Sequence, residues 1–314
     1  MSRLVAVTGA TGFVGQHLVT ALARRGWRLR LLIRRWTPLP SLAGVAAEIV
    51  LGDLDDDAAL AGLLAGADAI IHAAGLIKAR APADFHRVNA QGTARLVTRA
   101  TKIPFLLLSS LAAREPLLSA YAASKRAAEE SLASGAIAVR APAVYGPGDR
   151  ETLNYFKAIA RGLAPRPRMP SSGRGAARLS LIHVADLVEA LALTVDRPPA
   201  PGVYEIDDGR VGGYSYAEMA AAAGSALGRV PRTLVLPRPV MSLVAGVNGV
   251  LHSLGGAPRI LTAGKVNELF HADWTIHDRR LAAALEVSAA FQPEYDIVSG
   301  FCDTVAWYRR RRWL

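Results

Sequence analysis

Residues 4–15 decide the fold, and they read Leu-Val-Ala-Val-Thr-Gly-Ala-Thr-Gly-Phe-Val-Gly. Leu4–Thr8 is a short apolar run that predicts a buried strand, and Phe13–Arg25 has the apolar spacing of a helix. The glycines between them allow a tight turn, and the free N–H groups of the helix can bind a pyrophosphate. This pattern favours a dinucleotide-binding unit over an ordinary strand–turn–helix junction. The predicted cofactor contacts here are Gly9, Thr11, Gly12, Phe13 and Val14.

The same alternation of apolar runs and helical patterns continues to about residue 140. Continuous apolar runs separated by helices are typical of a parallel sheet that is covered on both faces. We therefore predict an α/β fold, a doubly wound parallel (Rossmann) sheet, with a smaller and mostly helical C-terminal substrate lobe. The further predicted strands are Leu29–Ile33, Ile49–Leu51, Ala69–His72, Phe105–Ser109 and Ala136–Arg140, and the helices between them include Asp55–Ala65 and Asn89–Ala100.

The sequence pattern changes after residue 150, which suggests a domain of residues 1–150 and a lobe of residues 151–314. Ala164–Arg178 is rich in Pro, Gly and Arg and predicts a loop. Parts of about 179–207 are expected to return to the first domain. This part contains the predicted strands Leu179–His183 and Val203–Ile206, with a helix Val184–Val195 between them.

Composition excludes several classes of protein. The 314 residues include 37 Lys and Arg against 26 Asp and Glu, so the formal charge is +11. A hydrophobic content of 51% argues against disorder. Cys302 is the single cysteine, which excludes an intramolecular disulfide or a cysteine-based zinc site, and no metal site is predicted. The first residues lack the pattern of a secretory signal, so a cytoplasmic location is expected.

Two positions near the predicted sheet edge bear on the choice of cofactor. Arg34 and Arg35 follow the second strand, where NAD-selective folds usually carry an acid for the ribose hydroxyl. A guanidinium there suits a 2′-phosphate, so NADP(H) is favoured over NAD(H), the alternative being two solvated arginines. Asp53 follows the third strand and is a candidate acceptor for the adenine amine, or else the N-cap of the next helix.

Tyr121 and Lys125 are the candidate catalytic pair, because positions i and i+4 share one helix face. A neighbouring ammonium favours the phenolate, so the pKa of Tyr121 is expected to fall toward neutrality and the phenol to exchange a proton. Ser109 and Ser110 end the preceding predicted strand, where a hydroxyl can hydrogen-bond a substrate carbonyl.

These motifs together resemble the short-chain dehydrogenase/reductase superfamily, in its extended branch of NAD-dependent epimerases and dehydratases. The resemblance also includes His72–Gly75, Asn89–Thr93, Arg140–Gly148 and Leu181–Asp186. It implies that Tyr121 is the general acid/base, that Lys125 holds the nicotinamide ribose, and that Ser110, in preference to Ser109, orients the carbonyl. For His183 it implies a structural role. The further residues that it implies to line the cofactor are Leu54, Ala73, Ala74, Gly75, Asn89, Pro142 and Val144. It also implies that Asn89 orders the central helix or a proton-relay water.

Two features bear on the substrate. Tyr121 follows Ser110 by only eleven residues, which is shorter than nucleotide-sugar enzymes of this branch generally have and argues against a UDP-sugar. Four arginines of the predicted loop could clamp a diphosphate or could be solvated. They are Arg166, Arg168, Arg174 and Arg178.

The C-terminal lobe contains an uncharged stretch, Pro239–Pro258, which predicts a buried or interfacial helix and not a membrane span. Val240–Leu254 has apolar residues at helical spacing with almost no charge on the other side. The chain ends Ala306–Leu314, where Trp and Tyr flank four arginines. This tail suits an anionic bilayer surface, or else a last helix with packed aromatics.

Three hypotheses follow. The first is an NADPH-dependent reductase of a ketone on an apolar or membrane lipid, because the pattern is similar to bacterial reductases of 3-oxo sphingoid or oxidised ceramide lipids. The uncharged helix and basic tail would place it at the inner face of the membrane. The second is a nucleotide-sugar epimerase or dehydratase. The third is a non-catalytic NADPH-binding subunit, since the pattern also resembles an accessory subunit of respiratory complex I. Nucleic-acid binding is not expected, and a homodimer is compatible with the family resemblance.

Overall fold

The structure of the protein is a computed structural model that describes residues 3–36, 44–169, 177–253 and 261–314. The chain forms two compact units. The first unit consists of residues 1–141, 187–206 and 278–292, and the second of residues 142–186, 207–277 and 293–314.

The strands of the described residues are β1 (Leu4–Thr8), β2 (Arg28–Ile33), β3 (Ala47–Leu51), β4 (Ala69–His72), β5 (Phe105–Ser110), β6 (Ile137–Ala141), β7 (Ala143–Tyr145), β8 (Leu163–Pro167), β9 (Arg178–Leu179), β10 (Leu181–His183), β11 (Gly202–Glu205), β12 (Tyr214–Ser215), β13 (Arg232–Leu236) and β14 (Asp273–Trp274). The helices are α1 (Phe13–Arg24), α2 (Asp57–Leu64), α3 (Pro82–Phe85), α4 (Gly92–Arg99), α5 (Ala120–Glu130), α6 (Leu153–Ala160), α7 (Val184–Asp196), α8 (Tyr216–Leu227), α9 (Arg238–Ser253), α10 (Ala263–Leu269), α11 (Arg280–Ala289) and α12 (Ile297–Arg310).

The first unit is built on a seven-stranded sheet in the order β11-β6-β5-β4-β1-β2-β3, and every pairing is parallel. This order confirms the doubly wound α/β prediction, since the chain runs outward from β1 in both directions. The apolar runs form the strands because both faces of the sheet are covered. A core between the sheet and its helices includes Leu60, Ile70 and Leu96, all fully buried.

Some predicted boundaries were wrong for local reasons. The helix expected at Asp55–Ala65 begins at Asp57, because the side chain of Asp56 accepts a hydrogen bond from the Ala59 N–H and caps it. The helix expected at Asn89–Ala100 is a π-helical turn, His86–Gln91, followed by α4.

The strand β11 forms one edge of the sheet, and α11 packs against it. Arg280 of α11 donates a hydrogen bond to the Val203 carbonyl at 3.2 Å and lies over the Tyr204 ring. An exposed strand edge is a template for pairing with another chain. The helix therefore covers part of this edge.

The second unit contains three small sheets, β10-β7, β12-β9-β14 and β13-β8, with the remaining helices. The prediction of a loop over Ala164–Arg178 was wrong at its start, because β8 pairs in parallel with β13. The strand predicted at Leu179–His183 is divided between β9 and β10 at Ser180, whose hydroxyl donates to Asp207.

The core of the second unit is aromatic. Phe301 contacts the rings of Tyr145 and Phe156 edge to face, each at 5.0 Å between ring centroids. Tyr308 is fully buried, and Trp313 stacks on its ring. The aromatic residues of the C-terminal tail are thus packed, as the second of the two interpretations of that tail expected. Among the helices that the structure describes, none combines the length and apolar character needed to cross a membrane.

Candidate active site

The glycine-rich turn after β1 has no room for side chains. Gly9 has a φ of +78°, and a Cβ there would lie 2.6 Å from the backbone of Ala73 and Ala74 after β4. A Cβ on Gly15 would lie 2.0 Å from the Gly9 carbonyl oxygen. The helix that follows begins at Gly12 without a capping side chain or an acidic residue in its first turn. The turn therefore offers a close backbone approach and unused N–H groups, which a pyrophosphate requires.

The residues proposed for the adenosine end lie at the carboxyl ends of β2 and β3. Arg34 and Arg35 are exposed directly after β2. Asp53 is exposed and accepts a hydrogen bond from the Asp55 N–H at 2.9 Å, so it forms a turn and is not the N-cap. The side chain of Leu54 is buried in the core against Gly92, which leaves only its backbone for a cofactor.

His72, at the end of β4, forms a hydrogen-bonded chain through the first unit. Its Nδ1 lies 2.6 Å from the Thr8 hydroxyl, and its Nε2 lies 2.9 Å from the Thr93 hydroxyl. Because Thr93 donates to the Asn89 carbonyl, it must accept from Nε2–H, and Nδ1 then accepts from Thr8. The Thr8 hydroxyl also accepts from the Ala74 N–H, so the chain fixes the loop after β4 beside the glycine turn. The family resemblance placed Ala73, Ala74 and Gly75 at the cofactor. The side chain of His72, which precedes them, is structural.

Asn89 connects that loop to α5. Its amide accepts from the Leu76 N–H at 2.7 Å and donates to the Leu76 carbonyl at 3.0 Å. The same side chain donates to the Ser124 hydroxyl at 2.9 Å, and Ser124 donates to the Tyr121 carbonyl. Asn89 is buried in the π-helical turn, and such turns occur frequently at functional sites. Asn89 therefore orders the start of α5, as the family resemblance implied, and its place among the cofactor-lining residues stays a prediction.

Tyr121 and Lys125 lie one turn apart on α5, as the sequence predicted. α5 packs against the π-helical turn and against a 3₁₀ turn, Leu111–Arg114, that follows β5. The Tyr121 ring is half-buried and contacts the Phe85 ring edge to face at 5.9 Å. The Lys125 ammonium is buried and donates to the Leu108 carbonyl of β5 at 2.7 Å. Both functional groups thus have fixed neighbours in the first unit.

The two serines at the end of β5 have different surroundings, because successive strand residues face opposite sides of a sheet. Ser109 is buried and donates to the carboxylate of Glu129 at 2.5 Å, so it is committed to the protein interior. The Ser110 hydroxyl accepts from the Ala112 N–H at 3.2 Å and is half-buried at the carboxyl edge of the sheet. Of the two candidates, Ser110 has the position that suits a substrate contact.

A buried ion network lies behind Ser109 and Ser110, and no sequence motif indicated it. Glu129 of α5 accepts three hydrogen bonds from Arg140 of β6, with Nη2–Oε2 at 2.6 Å, Nε–Oε1 at 2.9 Å and Nε–Oε2 at 3.2 Å. Glu205 of β11 lies 3.8 Å from Arg140 and 3.6 Å from Arg114. Its members come from four separate elements, so no local motif encodes it.

Burial sets the protonation of the two titratable groups beneath the site. Desolvation lowers the pKa of Lys125 to about 8, although the nearby Glu129 carboxylate raises it. Desolvation lowers the pKa of His72 to about 3, and the charge of Lys125 acts in the same direction. The imidazole is therefore neutral at pH 7, which agrees with the single ring proton that the hydrogen-bond chain requires.

The remaining candidates lie in the second unit. Pro142 directly precedes β7 and Val144 lies within it, and both are half-buried. His183 is buried, stacks on Tyr295 at 3.9 Å and contacts the Tyr145 ring, which supports the structural role predicted for it.

The structure describes three of the four arginines proposed as a diphosphate clamp. Arg178 is held by the carbonyls of Gly212 and Gly213, so it stabilises a turn. Arg166 and Arg168 are exposed on and after β8, and Arg174 lies outside the described residues. No cluster of side chains suited to a metal ion occurs in the described parts of the chain.

Comparison with known proteins decides the family. A family model, the NAD dependent epimerase/dehydratase family, matches residues 5–207. The chain belongs to this family. The chain is therefore an NAD(P)-dependent oxidoreductase of the extended short-chain dehydrogenase/reductase type, with a nicotinamide cofactor and a small-molecule substrate.

Individual relatives agree with this assignment. A ceramide reductase of Caulobacter vibrioides is 42% identical over 99% of this chain and 96% of the relative. A 4-hydroxy-2-methyl-3-oxo-4-farnesyl-3,4-dihydroquinoline-1-oxide ketoreductase of Stigmatella aurantiaca is 31% identical over 65% of this chain and 67% of that protein. The crystal structure of UDP-glucose 4-epimerase from Bifidobacterium longum, with NAD+ and UDP, is similar in fold, with a TM-score of 0.72, 18% identity, and coverage of 98% and 99%.

Proposed function

We propose that this protein is an NADPH-dependent reductase that converts a ketone on an apolar lipid of the 3-oxo sphingoid or ceramide type to a secondary alcohol. The observation that carries the proposal is the pairing of Tyr121 and Lys125 on one face of α5, with Lys125 buried and fixed at the Leu108 carbonyl. Similarity to a ceramide reductase and to a ketoreductase of a farnesylated compound supports an apolar substrate. We also place the enzyme at the cytoplasmic face of the membrane, because the proposed substrate is a membrane lipid.

The residues around the glycine turn fit a dinucleotide. The absence of Cβ atoms at Gly9 and Gly15 lets the turn pack tightly against the loop after β4 and against the start of α1, and the uncapped start of α1 supplies N–H groups for a pyrophosphate. Arg34 and Arg35 supply two exposed guanidinium groups where a 2′-phosphate of NADPH would need them. When bound, the nicotinamide supplies the hydride for the carbonyl carbon.

The protein supplies the proton and the orientation. The Tyr121 hydroxyl donates its proton to the carbonyl oxygen as the alcohol forms, and the Lys125 ammonium stabilises the phenolate that remains. The Ser110 hydroxyl holds the carbonyl oxygen in place. The Asn89–Ser124 hydrogen bond fixes the start of α5, so the phenol keeps one position during the reaction.

Replacement of the phenol tests the catalytic assignment. Tyr121→Phe removes only the hydroxyl, and we expect kcat to fall at least about 100-fold, because general acid catalysis contributes factors of this order. The assay is oxidation of NADPH, followed by loss of absorbance, with a 3-oxo ceramide in detergent micelles. Binding of NADPH, measured by fluorescence titration, should remain within about twofold.

A matched control is Tyr155→Phe, since this tyrosine lies in α6 of the second unit and is part of its aromatic core. It should leave kcat unchanged. Equal rates for Tyr121→Phe and the wild type would contradict the catalytic assignment. Turnover of a UDP-sugar, without turnover of the 3-oxo lipid, would support the epimerase alternative instead.

The cofactor preference has its own test. We expect Arg34→Ser with Arg35→Ser to raise the KM for NADPH at least about tenfold and to leave that for NADH within about twofold, because only NADPH carries the 2′-phosphate. Equal effects on both cofactors would show that these arginines do not read the 2′-phosphate.

A further inference from the structure

The helix α9 exposes a continuous row of apolar side chains. Val240, Leu243, Val244 and Val247 follow the i, i+3, i+4, i+7 spacing of one helix face and are 50%, 69%, 45% and 51% exposed. A surface helix of a globular protein normally places polar side chains on this side. Packing in the core of the second unit therefore does not explain this exposed row.

The opposite face of α9 already forms that core. Met241 and Ala245 are buried, and they pack with Val266 of the neighbouring helix α10. Asn248 donates a hydrogen bond to the Leu261 carbonyl on the same side. Since this inner face holds the helix in place, the exposed row is free to contact something outside the unit.

Positive charge borders the beginning of this row. In the β8–β13 pair, Arg166 lies opposite Val235, and the Arg168 N–H donates to the carbonyl of Leu236 at 2.9 Å. The helix α9 begins two residues after Leu236, at the exposed Arg238. Strand pairing thus fixes the backbone of Arg166, in β8, and of Arg168, directly after β8, near the start of the apolar helix.

The segments of the chain that supply β8, β13 and α9 contain no acidic residue. Residues 152–185 contain no Asp or Glu, and neither do residues 219–267. These two segments supply β8, β13 and α9. Their charged residues are all basic, so the surface attracts anions.

We propose that α9, with Arg166, Arg168 and its own Arg238, docks this enzyme on a lipid bilayer that carries anionic headgroups. The valines and the leucine of the exposed row enter the boundary between headgroups and acyl chains, and the guanidinium groups bind the phosphates. A second copy of the chain fits less well, because a symmetric contact would bring the same uncompensated arginines together.

The C-terminal tail is not the docking element. Its Tyr308 is fully buried, Trp307 contacts Trp313 edge to face, and Arg150 lies over the Trp313 ring. Tyr308 belongs to the core of the second unit, and the two half-buried Trp side chains pack against that core, so their ring contacts are made within the protein. The proposal rests on the proposed function only in explaining why docking is useful, since a lipid ketone must be reached in its membrane.

The test is flotation of the full-length protein with vesicles of phosphatidylglycerol and phosphatidylethanolamine, beside vesicles of phosphatidylcholine alone. The wild type should float with the anionic vesicles and much less with the neutral ones. Leu243→Glu with Val247→Glu should weaken binding at least tenfold. The control is Val287→Glu, because Val287 is 91% exposed on α11 and its change should leave binding intact.

The charge is tested separately. Arg166→Ala with Arg168→Ala should weaken binding to anionic vesicles about thirtyfold, since each arginine near a bilayer contributes about fivefold. Both double variants should keep the wild-type melting temperature and NADPH affinity, which are independent of lipid. Thus a loss of flotation cannot be mistaken for misfolding or for failure of the catalytic proposal.

Three results would overturn the proposal. One is equal flotation of the wild type and the Leu243→Glu, Val247→Glu variant. Another is loss of flotation when only Arg309–Arg312 are replaced by alanine, which would assign docking to the tail. The third is a wild-type dimer, measured by light scattering, that this variant converts to a monomer without any vesicle binding, which would assign the row to a second copy.

Discussion

The ammonium of Lys125 is buried on folding, since this residue is only 7% exposed. We expect the buried charge of Lys125 to lower the free energy of unfolding by an amount that depends on pH. Its pKa falls from 10.5 in an open chain to about 8 in the folded protein. At about 1.4 kcal/mol per pH unit, this interval corresponds to about 3 kcal/mol. The perturbation that exposes the cost is Lys125→Met, which keeps the apolar part of the side chain and removes the titrating group.

The sign follows from proton binding. Below about pH 8 the lysine is protonated in both the folded and unfolded chains, and the full cost of the buried charge is present. Between about pH 8 and 10.5 the unfolded chain holds the proton and the folded chain does not, so the free energy of unfolding of the wild type rises with pH. The variant lacks this rise. The free energy of unfolding of Lys125→Met, minus that of the wild type, should thus fall by about 3 kcal/mol as the pH rises through this range.

The assay is urea unfolding of the cofactor-free proteins, followed by tryptophan fluorescence at a series of pH values from neutral to alkaline. Constant effects of the substitution, such as the lost hydrogen bond to Leu108, cancel in the pH dependence. Lys102→Met, at an exposed position, is the matched control for replacing a lysine by methionine. A difference for Lys125→Met that does not change with pH would refute the reasoning, because it would show that the folded Lys125 titrates as in the open chain.

Further predictions concern the residues around this lysine and the glycine turn. Because the pKa of His72 falls from 6.5 to about 3, the free energy of unfolding should decrease by about 1.4 kcal/mol per pH unit as the pH falls from 6.5 to about 3, and urea titrations of His72→Phe should lack this dependence. Gly15→Ala places a Cβ 2.0 Å from backbone and should weaken NADPH binding at least about tenfold in fluorescence titrations, whereas the helical control Gly62→Ala should leave it unchanged. Glu129→Gln removes the carboxylate that raises the pKa of Lys125, so the alkaline limb of kcat/KM should move to lower pH; an unmoved limb would contradict this coupling.

Most of the sheet could be predicted from sequence because its strands are continuous apolar runs. Leu4–Thr8 and Ala69–His72 have the predicted bounds. β8 could not be predicted, since Pro165 and Pro167 resemble loop residues. Its sheet contains only β8 and β13, so each strand has one paired edge and prolines are tolerated.

The candidate site likewise has features that the sequence predicted and features that it did not. The spacing of Tyr121 and Lys125 is a local property of a helix, so the sequence contained it. The pairing of Glu129 with Arg140 and Glu205 depends on α5, β6 and β11 meeting in space, which no local pattern encodes. Similarly, the packing of Trp307 and Trp313 could only be decided once their neighbours were known.

The cover that α11 provides over β11 has a consequence for shortened chains. A chain that stops before residue 278 would keep every strand of the large sheet but would lose the helix that contacts Val203 and Tyr204. The open strand could then pair with the same strand of another molecule, and the sheet would continue from one chain into the next. The C-terminal segment thus helps to keep the enzyme from aggregating, a task unconnected with its substrate.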